Sequence, residues 1–181
     1  MSPTTRPAEP TVDAFLQTLG RSKLIDRFRL DSLLAKIPSP IRGHARSLAD
    51  ALVAAGHLTH YQADKLVQGL WQGLVLGPYH VLAPLGRGVM GTVYLARDTR
   101  TTELNSDSHL VALKILPPKR AREEENALAC FLREMELGRR LAHPNVTRSL
   151  DAGVIGGVHY IAMEYVTGDR KSTRLNSSHR T

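Results

Sequence analysis

The sequence has very little of what marks several protein classes. It contains one cysteine, Cys130, which excludes an internal disulfide framework and a cysteine-based zinc site and fits a reducing compartment, the cytoplasm. No stretch approaches 18 uninterrupted apolar residues, so no transmembrane helix is expected. The first ten residues, MSPTTRPAEP, lack the apolar core of a secretory signal.

Basic residues outnumber acidic residues, and the excess is concentrated in the last twelve residues. The 24 Lys and Arg against 17 Asp and Glu give a formal net charge of +7. Four of the basic residues lie in the last twelve, RKSTRLNSSHRT, which contain no acid and leave +3 for the remainder. Elsewhere acidic and basic residues alternate. This distribution favours a protein that does not bind nucleic acid.

The first part of the chain has a helical pattern. After a flexible, proline-containing leader at 1–10, apolar residues recur at helical spacing and predict a small all-α module over 11–75. Thr59 and Gln62 have the spacing of a capping box at the start of a further helix. A protein-docking or regulatory role is the hypothesis for this module. No metal site is expected in it.

The apolar period changes near residue 79. Short runs rich in β-branched residues predict strands, and a helical stretch separates the third run from the fourth. The strands are predicted at 79–85, 92–96, 110–116, 146–150 and 158–166, with a turn at 152–157 between the last two, and the helix is predicted over 122–141. This order favours an antiparallel five-stranded sheet with one helix packed on it, which is an α+β fold.

A glycine-rich loop, Gly-Arg-Gly-Val-Met-Gly, occupies 86–91. In a dinucleotide-binding fold a helix would follow the last glycine, whereas residues 92–95, Thr-Val-Tyr-Leu, favour a strand. A hairpin whose main-chain N–H groups face phosphates is the alternative, and it requires a lysine on the next strand.

Lys114 stands in the apolar run 110–116, where an unpaired ammonium would be costly to bury. Either it faces solvent on an edge strand, or it meets the phosphates.

Five segments, taken in order, resemble a protein kinase of the bacterial type that is similar to eukaryotic Ser/Thr kinases, over residues 79–169. They correspond to the glycine-rich loop, the third-strand lysine motif, the αC helix, the segment before the fourth strand, and the gatekeeper with the hinge. In this sequence they are Leu85–Val93, Val111–Lys114, Phe131–Glu134, His143–Val146 and Met163–Val166.

The resemblance implies ATP and Mg²⁺ as cofactors. It places Lys114 on the α- and β-phosphates and Glu134 on Lys114 as the two catalytic residues. Val89 stands where such kinases often have another glycine, and its β-branch restricts the loop. Cys130, beside the αC segment, is predicted to be a small buried hydrophobe. The residues implied to bind the nucleotide, together with Lys114, are Leu85, Gly86, Arg87, Gly88, Val89, Met90, Gly91, Thr92, Val93, Ala112, Met163, Glu164 and Val166.

The sequence contains neither an HRDxxxxN nor a DFG motif. The catalytic base and the magnesium ligands are therefore expected in a C-terminal lobe, and this chain by itself is not expected to transfer phosphate. Residues 170–181 are predicted to be a disordered basic tail of artefactual origin. The expected function is that of the ATP-binding lobe of a kinase that phosphorylates Ser and Thr of protein substrates. The alternatives are a pseudokinase scaffold, and a protein-interaction module at 11–75 followed by a remnant lobe.

Overall fold

The structure, a computed structural model, describes most of the chain between residues 10 and 166. The predicted leader, the residues Val89 and Met90 and the basic tail lie outside the described residues. The described ranges are 10–88, 91–100, 110–123, 125–140, 143 and 146–166. No helix within these ranges is long and apolar enough to cross a membrane.

Five helices form the first part of the chain. Thr11 and Asp26 cap the first two through side-chain bonds to backbone N–H groups. The chain leaves the helical conformation between them at Lys23, which has a φ of 59°. The capping box predicted at Thr59 and Gln62 is confirmed. The helices are α1 (Val12–Ser22), α2 (Arg27–Lys36), α3 (Ser39–Arg42), α4 (Ala45–Ala54) and α5 (His60–Val67).

These helices share a hydrophobic core of their own. Its most deeply buried members come from α1, α4 and α5 and have no exposed surface: they are Phe15, Leu19, Leu48, Ala49, Leu52 and Leu66. Leu74, which follows the last helix, closes this core. Since burial of an aliphatic or aromatic side chain stabilises by about 1.5–3 kcal/mol, this cluster is what holds the helical region together.

The second part is a six-stranded antiparallel sheet in the order β1-β2-β3-β4-β6-β5. Its strands are β1 (Val75–Leu76), β2 (Tyr79–Gly88), β3 (Gly91–Asp98), β4 (Leu110–Leu116), β5 (Ser149–Ile155) and β6 (Val158–Glu164). The helices α6 (Pro118–Glu123) and α7 (Glu125–Arg140) stand between β4 and β5. The α+β class is confirmed, and all five predicted strands are present. The sixth strand, β1, has only two residues, which is too few to produce a recognisable apolar pattern in the sequence.

The fifth strand begins later than predicted. It starts at Ser149 instead of residue 146, and it runs through 152–155, which the sequence had suggested as a turn. The turn itself is reduced to Gly156 and Gly157, which both have positive φ (58° and 79°). Positive φ at both central residues is what a two-residue type I′ hairpin requires. The two glycines alone therefore reverse the chain.

The two faces of the sheet pack differently. One face carries the buried residues Tyr79, Val81, Val111 and Leu113, against which Tyr61 of α5 packs. The opposite face is covered by α7 through a smaller cluster that includes Leu116, Phe131 and Ile161. Because side chains alternate along a strand, the face under α7 is also the face of Lys114.

The sheet curls until β5 meets β2, although the two strands are not neighbours in it. The carboxylate of Asp151 accepts hydrogen bonds from the hydroxyls of Tyr79 (2.7 Å) and Tyr160 (3.2 Å) and from Arg100 (3.0 Å). Burial alone would raise the pKa of Asp151, but the bonds from Tyr79 and Arg100 outweigh it and hold that pKa below its ordinary value. Burial, then the bond to Asp151, raises the pKa of Tyr79.

Gly91 is required where β3 begins. Its φ is +137°, and an added Cβ would lie 2.5 Å from the carbonyl oxygen of Ile115. We expect Gly91→Ala to lower the free energy of unfolding by about 1–3 kcal/mol, measured by urea denaturation. Gly20→Ala is the matched control, because Gly20 lies in α1 with open space around it, and it should stabilise by about 0.5–1 kcal/mol. Equal effects of the two substitutions would contradict the assignment.

Candidate active site

Lys114 and Glu134 form an ion pair between β4 and α7. The lysine side chain is 14% exposed and the glutamate side chain 39%. Since β4 is paired with β3 on one side and with β6 on the other, Lys114 lies on a central strand, and the edge-strand alternative is wrong. The cost of burying the ammonium is offset by its carboxylate partner.

Four of the predicted nucleotide-binding residues on the strands share one face of the sheet. Lys114 lies opposite Val93 on β3 and opposite Ile161 on β6, while Ala112 lies opposite Met163. Directly paired residues of an antiparallel sheet point to the same side. The register therefore gathers Val93, Ala112, Lys114 and Met163 on one surface of the sheet.

A cavity of about 650 Å³ lies beside the ion pair. Three of the predicted site residues, Lys114, Glu134 and Met163, line it. The sequence reasoning missed its other lining residues, which are Cys130, Arg133, Leu137, Gly138, Val146, Thr147, Ser149 and Ile161. For Cys130 and Gly138 a signal existed, because positions four residues from Glu134 lie on the same face of a helix.

The prediction that Cys130 is buried is wrong. Its thiol is exposed and lies at this cavity. The helix α7 turns Ala127 and Phe131, four residues apart, toward the sheet. Cys130 is one residue, or about 100°, away from Phe131 and therefore faces the open side.

The glycine loop is described at its two ends. Gly86 lies opposite Val93, and Gly88 lies opposite Gly91. A Cβ at Gly86 would meet no atom within 4 Å, so this glycine leaves open space above the strand. Room for a ligand close to the backbone is what a phosphate-binding hairpin requires. Of the other loop residues, Arg87 is exposed, and Leu85 and Thr92 are half-buried.

The predicted hinge follows the end of β6. Glu164 is the last residue of that strand and lies opposite Val111. Its N–H donates to the carbonyl of Arg148 (2.9 Å), so a contact from Glu164 to an adenine would have to come from its carbonyl. Val166 is 65% exposed, which leaves its backbone accessible.

The described residues fit a nucleotide better than they fit its metal ion. An ammonium on the sheet and an open glycine backbone suit a triphosphate. Within the described part of the chain, no three His, Cys, Asp or Glu residues lie close enough together to hold a metal ion. Coordination of Mg²⁺ is therefore not assigned to any of these residues.

Part of this chain is similar to known protein kinases. The family model of the protein kinase domain matches residues 79–181, a range that runs twelve residues beyond the boundary that the motifs predict. The chain is 37% identical over 98 residues to the serine/threonine-protein kinase PknD of Mycobacterium tuberculosis, covering 53% of this chain and 13% of PknD. It is 36% identical over 94 residues to PrkC of Bacillus subtilis, covering 52% of this chain and 13% of PrkC.

Among solved structures, the kinase domain of PknI from Mycobacterium tuberculosis is 35% identical, with a TM-score of 0.39 and coverage of 52% of this chain and 36% of that one. The chain thus spans about an eighth of the length of PknD and PrkC. The family model, in contrast, covers more than half of the present chain. On this match the chain belongs to the protein kinase family.

Proposed function

We propose that residues 79–169 form the ATP-binding lobe of a Ser/Thr protein kinase, whose full gene product transfers the γ-phosphate of ATP to Ser and Thr hydroxyls of proteins. The observation that carries the proposal is the ion pair between Lys114 and Glu134 on the face that Val93, Ala112 and Met163 share. The names of PknD and PrkC support Ser/Thr specificity.

Each side chain has a separate role in this proposal. The ammonium of Lys114 binds the α- and β-phosphates, and Glu134 keeps the lysine in reach of them. The backbone of Gly86, Gly88 and Gly91 contacts the phosphates. Val93, Ala112 and Met163 pack against the adenine, and Leu85 completes that wall. Glu164 and Val166 contribute only backbone groups, so substitution of their side chains should have little effect.

The sequence contains neither an HRDxxxxN nor a DFG motif, and within the described residues no three His, Cys, Asp or Glu side chains lie close enough together to hold a metal ion. The chain by itself therefore binds the nucleotide without transferring phosphate. Catalysis, protein substrates and Mg²⁺ coordination belong to the full gene product. Its ATP requirement and the one cysteine of the sequence are the reasons for placing this part in the cytoplasm.

Titration of the ¹⁵N-labelled 181-residue chain with MgATP tests the proposal. We expect saturable amide shifts at Gly86, Gly88 and Val93 and at the hinge residue Val166. The amide of Phe28, on the exposed surface of α2, is the internal control and should not move. Shifts spread equally over both parts of the chain, or the absence of saturation at millimolar ATP, would overturn the assignment.

A further inference from the structure

The start of helix α5 contacts the strand that carries the glycine loop. The Thr59 hydroxyl donates to the carbonyl of Leu82 (2.6 Å), and the Gln62 amide donates to the carbonyl of Val81 (2.7 Å). Gln62 is 4% exposed. Because water does not reach a side chain buried to that extent, no solvent hydrogen bond is available to replace this one.

The carbonyls of Val81 and Leu82 require these partners because β2 is irregular there. Val81 lies opposite Ala96 and Ala83 opposite Leu95, so that Leu82 is an extra residue in the ladder. The neighbouring strand β1 pairs only with Tyr79 and His80. The side chains of α5 thus take the place of an edge strand along this part of β2.

The two side chains are also fixed to each other. The Thr59 N–H donates to Oε1 of Gln62 (2.9 Å), and the Gln62 N–H donates to Oγ1 of Thr59 (3.2 Å). This reciprocal capping box sets both side-chain positions relative to the helix axis. A displacement of α5 must therefore move the backbone of β2.

A second contact joins α5 to the next strand. The rings of Tyr61 and Tyr94 are 6.4 Å apart between centroids and tilted by 44°. Tyr94 is adjacent in sequence to Val93, and Leu82 stands three residues before Leu85. Each of the two contacts from α5 therefore reaches a residue that lies within three positions of a residue proposed to pack against the adenine.

We infer that Thr59 and Gln62 are positioning residues for the glycine loop, and that the helical module sets nucleotide affinity through β2. This inference rests on the proposed function. It gives residues 11–75 an intramolecular role: α5 holds the bulged strand in the conformation that places Gly86 and Gly88 at the phosphates.

Thr59→Val in the 181-residue chain tests the inference, since it removes the hydroxyl and keeps the side-chain volume. We expect ATP affinity to fall about threefold to tenfold, which corresponds to the loss of one hydrogen bond, and the amide resonances of Gly86 and Gly88 to shift. Thr59→Ser retains the hydroxyl and should restore both. Gln62→Met removes the other donor and should act in the same direction.

Thr11→Val is the matched control. Thr11 caps α1 through an identical bond length (3.2 Å), and among the described residues no hydrogen bond joins its side chain to β2. If Thr59→Val and Thr11→Val change ATP affinity and the glycine amides equally, loss of a helix cap explains both and the inference is overturned. If the wild-type chain binds no ATP, the proposed function fails, and the amide resonances of Gly86 and Gly88 test the inference separately. A shift of these resonances that Thr59→Val causes and Thr11→Val does not cause supports the positioning role. The absence of such a shift overturns the inference.

Discussion

Replacing Lys114 with methionine should lower the affinity of the chain for ATP by about tenfold to a hundredfold, because hydrogen bonds to charged groups contribute roughly 1.5–3 kcal/mol. Methionine fills most of the volume of the lysine side chain. The substitution leaves the carboxylate of Glu134 without its ion-pair partner, but this side chain is 39% exposed and water can solvate it. The fold should therefore survive the substitution. Isothermal titration of both proteins with MgATP measures the effect.

Lys119→Met is the control for that experiment, because Lys119 is a lysine on α6 with a side chain 83% exposed. It should bind ATP as the wild type does. Glu134→Gln should weaken ATP binding about threefold, since it leaves the Lys114 ammonium intact but without its charged partner. Equal dissociation constants for Lys114→Met and Lys119→Met would exclude Lys114 from the nucleotide site.

The second large effect is expected at the closure of the sheet. Asp151→Ala removes the acceptor of two tyrosine hydroxyls and of Arg100. Tyr79 has no exposed surface, so its hydroxyl would lose its acceptor without gaining water. We expect the free energy of unfolding to fall by about 2–3 kcal/mol, measured by urea denaturation at neutral pH. The exposed residue Asp50 on α4 is the control, and Asp50→Ala should stay within about 0.5 kcal/mol of wild type.

The same carboxylate gives the fold a pH dependence with a defined sign. The pKa of Asp151 is lowered in the folded state, so the stabilisation is fully present above the unfolded pKa of about 3.9 and is lost as the pH falls through the lower folded value. The pKa of Asp98 is lowered as well, chiefly by its hydrogen bond with Arg100. Wild type should therefore lose more stability than Asp151→Ala on acidification below about pH 5. Parallel pH profiles would contradict this account.

Local patterns predicted the elements of the sheet well. The run 110–116 is a strand with the predicted bounds, because a continuous apolar segment with β-branched residues suits a strand buried on both faces. The capping box at Thr59 was equally readable, since both of its partners lie within one turn of helix. Where two states were locally compatible, the pattern was wrong: 152–155 contains turn-like glycine, yet it pairs with β6 and is a strand.

For the candidate site, the order of the motifs predicted which residues come together, and the contact between Lys114 and Glu134 is present. Single residues were less predictable. Cys130 was expected inside because it lies among apolar residues, but its exposure depends on how α7 is rotated over the sheet. The apolar periodicity of α7 was the available signal: Ala127 and Phe131, four residues apart, mark its buried face, and Cys130 lies about 100° from Phe131.

The sequence by itself determined the α+β composition, the succession of strands and helices and the pairing of a glycine loop with a lysine, since each rests on periodicity or spacing within a few residues. Tertiary structure decided the curl that brings Asp151 of β5 to Tyr79 of β2 and the docking of Thr59 and Gln62 onto β2. These contacts join residues 72, 23 and 19 positions apart. Contacts at such separations form only where the packing of whole elements compensates the loss of chain entropy.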